Sequence, residues 1–183
     1  MKKRKFVYLI IALLILYLLY SVVTNFVSVE DSDNESKKIE KEAEEKGSIV
    51  YYNEQYNFCF LLPESWLGYK IVSDKWEGIS LENSDRGQIV ETGPIIKIRH
   101  PQWTAENPRQ DIPIMVFTLS QWDLLQQEKY HIGAAPIGPK ELGRNNRYVF
   151  ALPARYNYAF PEGYEEVDKN MDSKPLKPLD DIQ

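Results

Sequence analysis

GPIIKIRHPQWTAENPRQDIPIMVFTL, residues 93–119, decides the fold class. Ile96 and Ile98 alternate with Lys97 and Arg99, the period-two pattern of a half-buried strand that closes at Pro101. Residues 101–111 carry two prolines and many polar groups and read as a loop. Ile112 to Leu119 is the most strand-like run of the chain beyond its N-terminus, and Pro113 sits near its start, where a missing donor is tolerated. Ser120 then reads as a helix N-cap, with Asp123 three residues on and Leu124-Leu125 following.

Upstream, Ile49–Tyr52 and Tyr56–Leu62 read as strands around an Asn53-Glu54-Gln55 turn, and Pro63 stops the second. Tyr69–Ser73 and Ile79–Leu81 read as two more, separated by Asp74–Gly78. Downstream, Ile132–Gly143 is too rich in Gly and Pro for regular structure. Tyr148–Leu152 is a strand ended by Pro153, and Glu162–Met171 is a helix. The expectation is an α+β fold: an antiparallel sheet of six or seven short strands with two or three helices, preceded by a single N-terminal transmembrane helix. The domain expectation is an anchor at 1–29, a charged tether at 30–48, an α+β domain at 49–172 and a loose tail at 173–183.

The N-terminus carries the membrane signal. Lys2-Lys3-Arg4-Lys5 precedes Phe6–Val23, which lacks charge, Gly and Pro. Eighteen helical residues span roughly 27 Å, close to the hydrocarbon thickness of a bilayer. No A-x-A-like triplet follows, which favours an uncleaved anchor over a signal peptide. Cations before the span place the N-terminus in the cytoplasm and the domain on the external face of the cell membrane. Residues 30–47 hold one Ile and one Ala among charges and read as a segment that does not fold alone, with Glu42 and Lys46 favouring transient helix.

The formal charge of −5 divides into +4 for residues 1–29, −4 for 30–48 and −5 for 49–183. A mildly acidic external domain has no electrostatic footprint for nucleic acid. The lone Cys59, within Phe58–Leu62, reads as an inert core thiol, so no intramolecular disulfide is expected. No cofactor and no metal site are expected. His100 and His131 are the only histidines, 31 residues apart and without ligand spacing. Both read as terminal residues, one ending a strand and one ending a helix. With Asp111 they are the candidates for hydrolytic acid–base chemistry. Gly133–Gly143 lacks the phosphate-loop signature.

Arg and aromatic residues in the loops point to recognition instead. Arg99, Trp103, Arg144, Arg155, Tyr156 and Tyr158 are the candidate binding residues, since Arg and aromatics dominate interface energetics and Arg holds carboxylate or phosphate through two parallel hydrogen bonds.

The words YNEQYNFCFLLPESWLGYKIV, GPIIKIRHPQWTAENPRQDIPIMVFTLSQWD, HIGAAPIGPKELGRN and YVFALPARYNY, within Tyr51 to Val167, resemble a group of uncharacterised membrane-anchored or secreted proteins of Gram-positive bacteria, mainly clostridia and bacilli. That resemblance implies no activity. The stretch Phe58–Trp66 is similar to the opening of PsbP-like domains, which implies an antiparallel sheet between helices and a role in binding or assembly. The leading expectation is thus a membrane-anchored, extracytoplasmic binding domain for a protein or cell-envelope ligand, and not an enzyme. The alternatives are a cell-envelope hydrolase using His and Asp, and a structural subunit of a membrane complex.

Overall fold

The second strand, Phe58–Pro63, is buried on both faces, and this organises the molecule. Successive side chains of a strand point to opposite sides. Phe58, Phe60 and Leu62 enter the main core, while Cys59 and Leu61 enter a separate cluster with Ile39 and Ala43. A strand sandwiched in this way needs a layer on each side. The computed structural model describes residues 13–21, 37–134 and 137–179, and both layers lie within it.

The elements are α1 (37–46), β1 (Ser48–Asn53), β2 (Phe58–Pro63), a 3-10 turn (Glu64–Trp66), β3 (Lys70–Ser80), β4 (Ile89–Arg99), β5 (Ile112–Thr118), α2 (Leu119–Gln126), β6 (Tyr130–Ile132), β7 (Lys140–Arg144), β8 (Tyr148–Leu152), α3 (Tyr164–Asp172) and β9 (Leu176–Pro178). A helical stretch at 13–21 precedes them. The strands form two antiparallel sheets, ordered β1-β2-β9 and β6-β3-β4-β5-β8-β7. Their facing sides enclose Phe58, Phe60 and Leu62 against Ile96, Ile98, Ile112, Ile114, Val116 and Phe150, with Val167 of α3 in the same cluster. The outer face of the larger sheet sends Met115, Phe117, Val149 and Ala151 against Trp122 and Leu125 of α2. The layers run α1, small sheet, large sheet, α2. Buried Asn145 ties the sheets: its Nδ2 lies 2.9–3.1 Å from the carbonyls of Tyr56, Asn57 and Leu179, while its Oδ1 accepts from the Arg147 and Tyr148 amides.

The α+β expectation stands, with corrections. There are two sheets, not one, and the described residues carry nine strands. Residues 70–80 form one long strand, since only Trp76 of the charged middle turns inward against a neighbour and the opposite edge of residues 70–77 is unpaired. Charges suit such an edge. Residues 130–132 and 140–144 are strands despite the surrounding Gly and Pro. The helix cap is Thr118, not Ser120: its hydroxyl accepts from the Gln121 amide, and the Gln121 side chain accepts from the Thr118 amide. His131 lies in β6 and does not end a helix.

The boundaries of the domain also move. Residues 37–46 of the expected tether are helical, and Ile39 and Ala43, one turn apart, are 5% and 3% exposed on the outer side of β2. Glu42 holds Lys46 at 2.8 Å and Lys177 at 3.2 Å. In the expected loose tail, Leu176–Pro178 pair with β2 and Leu176 is buried. Of the expected membrane span at 6–23, residues 13–21 are described and helical; residues 6–12 and 22–23 lie outside the described residues, as do residues 24–36. Among the described residues no helix is long and apolar enough to cross a membrane.

Candidate functional site

The outer face of the large sheet is covered by α2 over only part of its area. Strand alternation puts Lys97 and Arg99 of β4, Asp111 and Pro113 on this face, because Ile96, Ile98, Ile112 and Ile114 point the other way. Apolar packing ends here and charge begins. Arg99 grips Asp111 through two parallel bonds, Nε to Oδ1 at 3.1 Å and Nη2 to Oδ2 at 2.8 Å. The Trp103 ring lies on the guanidinium, 3.9 Å from Cζ to ring centroid. Three residues singled out by sequence, Arg99, Trp103 and Asp111, therefore meet. Asp111 serves Arg99 and not a histidine. Lys97 reaches Asp74 on the neighbouring strand at 2.5 Å.

The loop after β8 folds over this region. Arg155, Tyr156, Tyr158, Ala159 and Pro161 line one side of a groove of about 360 Å³, and Lys97, Arg109, Gln110, Asp111 and Pro113 line the other. α3 fixes the loop. The Tyr156 hydroxyl and the Asn157 amide both donate to the Asp168 carboxylate. Burial, and then the Asp168 carboxylate, push the Tyr156 phenol far above its ordinary range, so it stays a donor. Arg109 pairs with Glu162 at 2.5 Å, and the Gln110 amide donates to the Glu162 carbonyl at 2.8 Å. Arg155 and Phe160 lie in the left-handed backbone region, at φ 55° and 45°. Tyr158 and Phe160 are 73% and 67% exposed.

Among the groove cations Lys97 and Arg109 are paired, whereas Arg155 is exposed, its carbonyl accepting from the Tyr158 amide at 3.0 Å and its guanidinium making no hydrogen bond or ion pair with the described residues. Of the candidate binding residues, Arg155, Tyr156 and Tyr158 thus line one groove, and Arg99 and Trp103 adjoin it through Asp111. Arg144 does not join them: it ends β7, the far edge of the sheet, bound to Glu141 at 2.6 Å. Lys97 and Gln110 are groove residues that the sequence reading left out. The outward phase of Lys97 was visible in its strand pattern, while Gln110 carries no local signal.

The histidines sit apart. His100 follows β4, is 4% exposed, and packs edge-on against Trp66 at 5.0 Å between ring centroids. Its Nδ1 accepts from the Gln102 amide at 3.2 Å, so the neutral ring carries its proton on Nε2. Burial, and then Arg109, lower its pKa, while Glu166 and Glu162 oppose the shift. His131 pairs with Ile79, whereas Arg99 pairs with Lys70 at the other end of β3. Nine strand residues separate those positions by roughly 30 Å. The His131 Nδ1–H donates to the Gly133 carbonyl at 2.7 Å. Among the described residues no group of three or more His, Cys, Asp or Glu is placed to hold a metal.

In comparisons with known proteins, the chain matches no family model, no curated protein and no solved structure.

Proposed function

We propose that this chain is a membrane-anchored, extracytoplasmic binding domain that recognises a partner through the 155–160 loop and the groove beneath it. The observation that carries the reading is the unpaired, exposed Arg155 on left-handed backbone, beside exposed Tyr158 and Phe160, in a loop fastened by carboxylates. A bulky residue in that backbone region costs on the order of 1–3 kcal/mol, a cost that concentrates at ligand clamps and active sites. Surface hydrophobic residues of this size, held out by a rigid scaffold, are what interfaces use.

The anchor rests on the basic tetrapeptide and the apolar run behind it. Residues 13–20 are helical, and all eight are large apolar or tyrosine side chains more than half exposed. Lipid is the environment that such a surface fits. The resemblance to membrane-anchored or secreted proteins of Gram-positive bacteria points the same way. The hydrolase alternative draws less support, since both Asp111 oxygens face Arg99 and His131 lies at the other end of β3.

The test is a photoreactive phenylalanine analogue at position 158 of the full chain, irradiated in the cells that make it. The expected result is a discrete adduct that disappears when Arg155→Ala is added. An adduct pattern indistinguishable from that of a probe at Glu54, on the β1–β2 turn, would overturn the reading.

A further inference from the structure

We infer that the groove takes a peptide carboxylate, one per domain; this rests on the recognition reading above. The charge of the ligand follows from which cations are already neutralised. Lys97 has Asp74, Arg109 has Glu162, and Arg99 has Asp111. Among the described cations of the groove and its rim, Arg155 alone has no carboxylate partner, and its planar fork matches the two oxygens of one carboxylate. Arg109 keeps one buried donor, Nε, without a partner, but its charge is already met by Glu162; a second negative charge, as on phosphate, would find only cations so paired and would face Asp111 in the groove wall.

The peptide part follows from Gln110. This side chain belongs to the groove lining and is 6% exposed. Its Nε2 donates to the carbonyls of Asp111 at 2.7 Å and Tyr156 at 3.3 Å. Both partners are acceptors only, so the amide cannot turn over, and Oε1 is left buried with no donor. A buried acceptor without a donor is costly. A ligand with an N–H close to its carboxylate would satisfy Oε1 and Arg155 together. An acidic residue in a peptide has this pair of groups. A simple fatty acid lacks the N–H. Tyr158 and Ala159, on the same wall as Arg155, supply apolar surface for the neighbouring residue. The volume, about 360 Å³, is at the small end of the roughly 300–1,000 Å³ typical of ligand pockets, which suits one or two residues.

The experiment is a titration of the isotope-labelled full chain, followed by the NMR signals of the Gln110 side-chain amide and the Arg155 Nε–H. The probes are acetyl-Ala-Glu-amide, acetyl-Ala-Gln-amide and inorganic phosphate. The expected result is a saturable shift of both signals with the glutamyl peptide. The glutaminyl peptide should bind at least tenfold more weakly, and Arg155→Gln should lose the preference while keeping a native amide spectrum. Equal response to both peptides, a response to phosphate alone, or no response to any probe would overturn the inference. In those three cases a surviving adduct at position 158 leaves the recognition reading in place, so the two failures are told apart.

Discussion

Two residues of β4 show how differently the two halves of one sheet face are built. Gly93 lies beneath the Trp76 indole, so close that a Cβ would come within 2.5 Å of the ring. Trp76 stacks on Phe117 at 4.5 Å, its Nε1 donates to the Val116 carbonyl, and Trp122 of α2 meets Phe117 edge-on. Four residues along, Lys97 emerges from the same face into ion pairs and a groove. Among the described residues no helix covers that end. The covered half is held by apolar contact and close packing, which are worth much in stability. The open half is held by partly solvated ion pairs, which are worth little but display charge in fixed positions. Stability and recognition are thus assigned to different ends of the same strands.

Four measurements would break or sharpen this division. Trp76→Ala should be the most damaging, removing a buried indole and its hydrogen bond for about 3–5 kcal/mol of unfolding free energy in denaturant titrations. A loss below about 1 kcal/mol would mean that α2 does not depend on this stack. Asp111→Ala should cost about 1–2 kcal/mol, since it leaves Arg99 only partly solvated; it should also free Trp103, visible as a change in its fluorescence. A cost equal to that of Trp76→Ala would erase the contrast between the halves.

A smaller effect should appear with acid. His100 has a folded pKa below its ordinary 6.5 because it is buried near Arg109. The unfolded chain then binds the proton more readily than the fold does. Stability is full above about pH 6.5 and falls as pH drops from there through the folded value. His100→Asn, which keeps an acceptor for the Gln102 amide, should flatten that slope in melting temperatures between pH 7 and 5. An unchanged slope would place the acid sensitivity elsewhere. Tyr158→Ala should change stability by no more than about 0.5 kcal/mol, because the side chain is nearly free of the protein. A larger loss would show that it supports the loop and is not there for display.

How much of this was legible beforehand depends on what each residue's neighbours do. Ile112–Thr118 and Ile96/Ile98 announce themselves, because both faces or alternate faces are apolar in sequence. Asp74-Lys75-Trp76-Glu77-Gly78 looks like a loop because an edge strand can carry its charges into water, and one inward Trp is too sparse a signal. Ile39 and Ala43 escaped for a related reason. Two apolar residues at i,i+4 cannot hold a helix alone, but they suffice when a sheet face is waiting for them. For the site, residue type brought Arg155 and Tyr158 forward, and the structure places both along one groove. Sequence could not bring Gln110 to them, because residues 110 and 156 meet only through the fold. Nor could it foresee that Asp111 would be occupied by Arg99 or that His131 would lie at the far end of the sheet.

The junction at Thr118 has a mechanical consequence. β5 becomes α2 with no residue between them, and Gln121 is bolted to the Thr118 amide, the Glu91 carboxylate and the Thr92 carbonyl. A corner braced in three directions cannot serve as a hinge. The open end of the sheet, where Arg155 and Phe160 hold left-handed backbone in a loop tied to α3, is thereby kept in fixed register with the packed end.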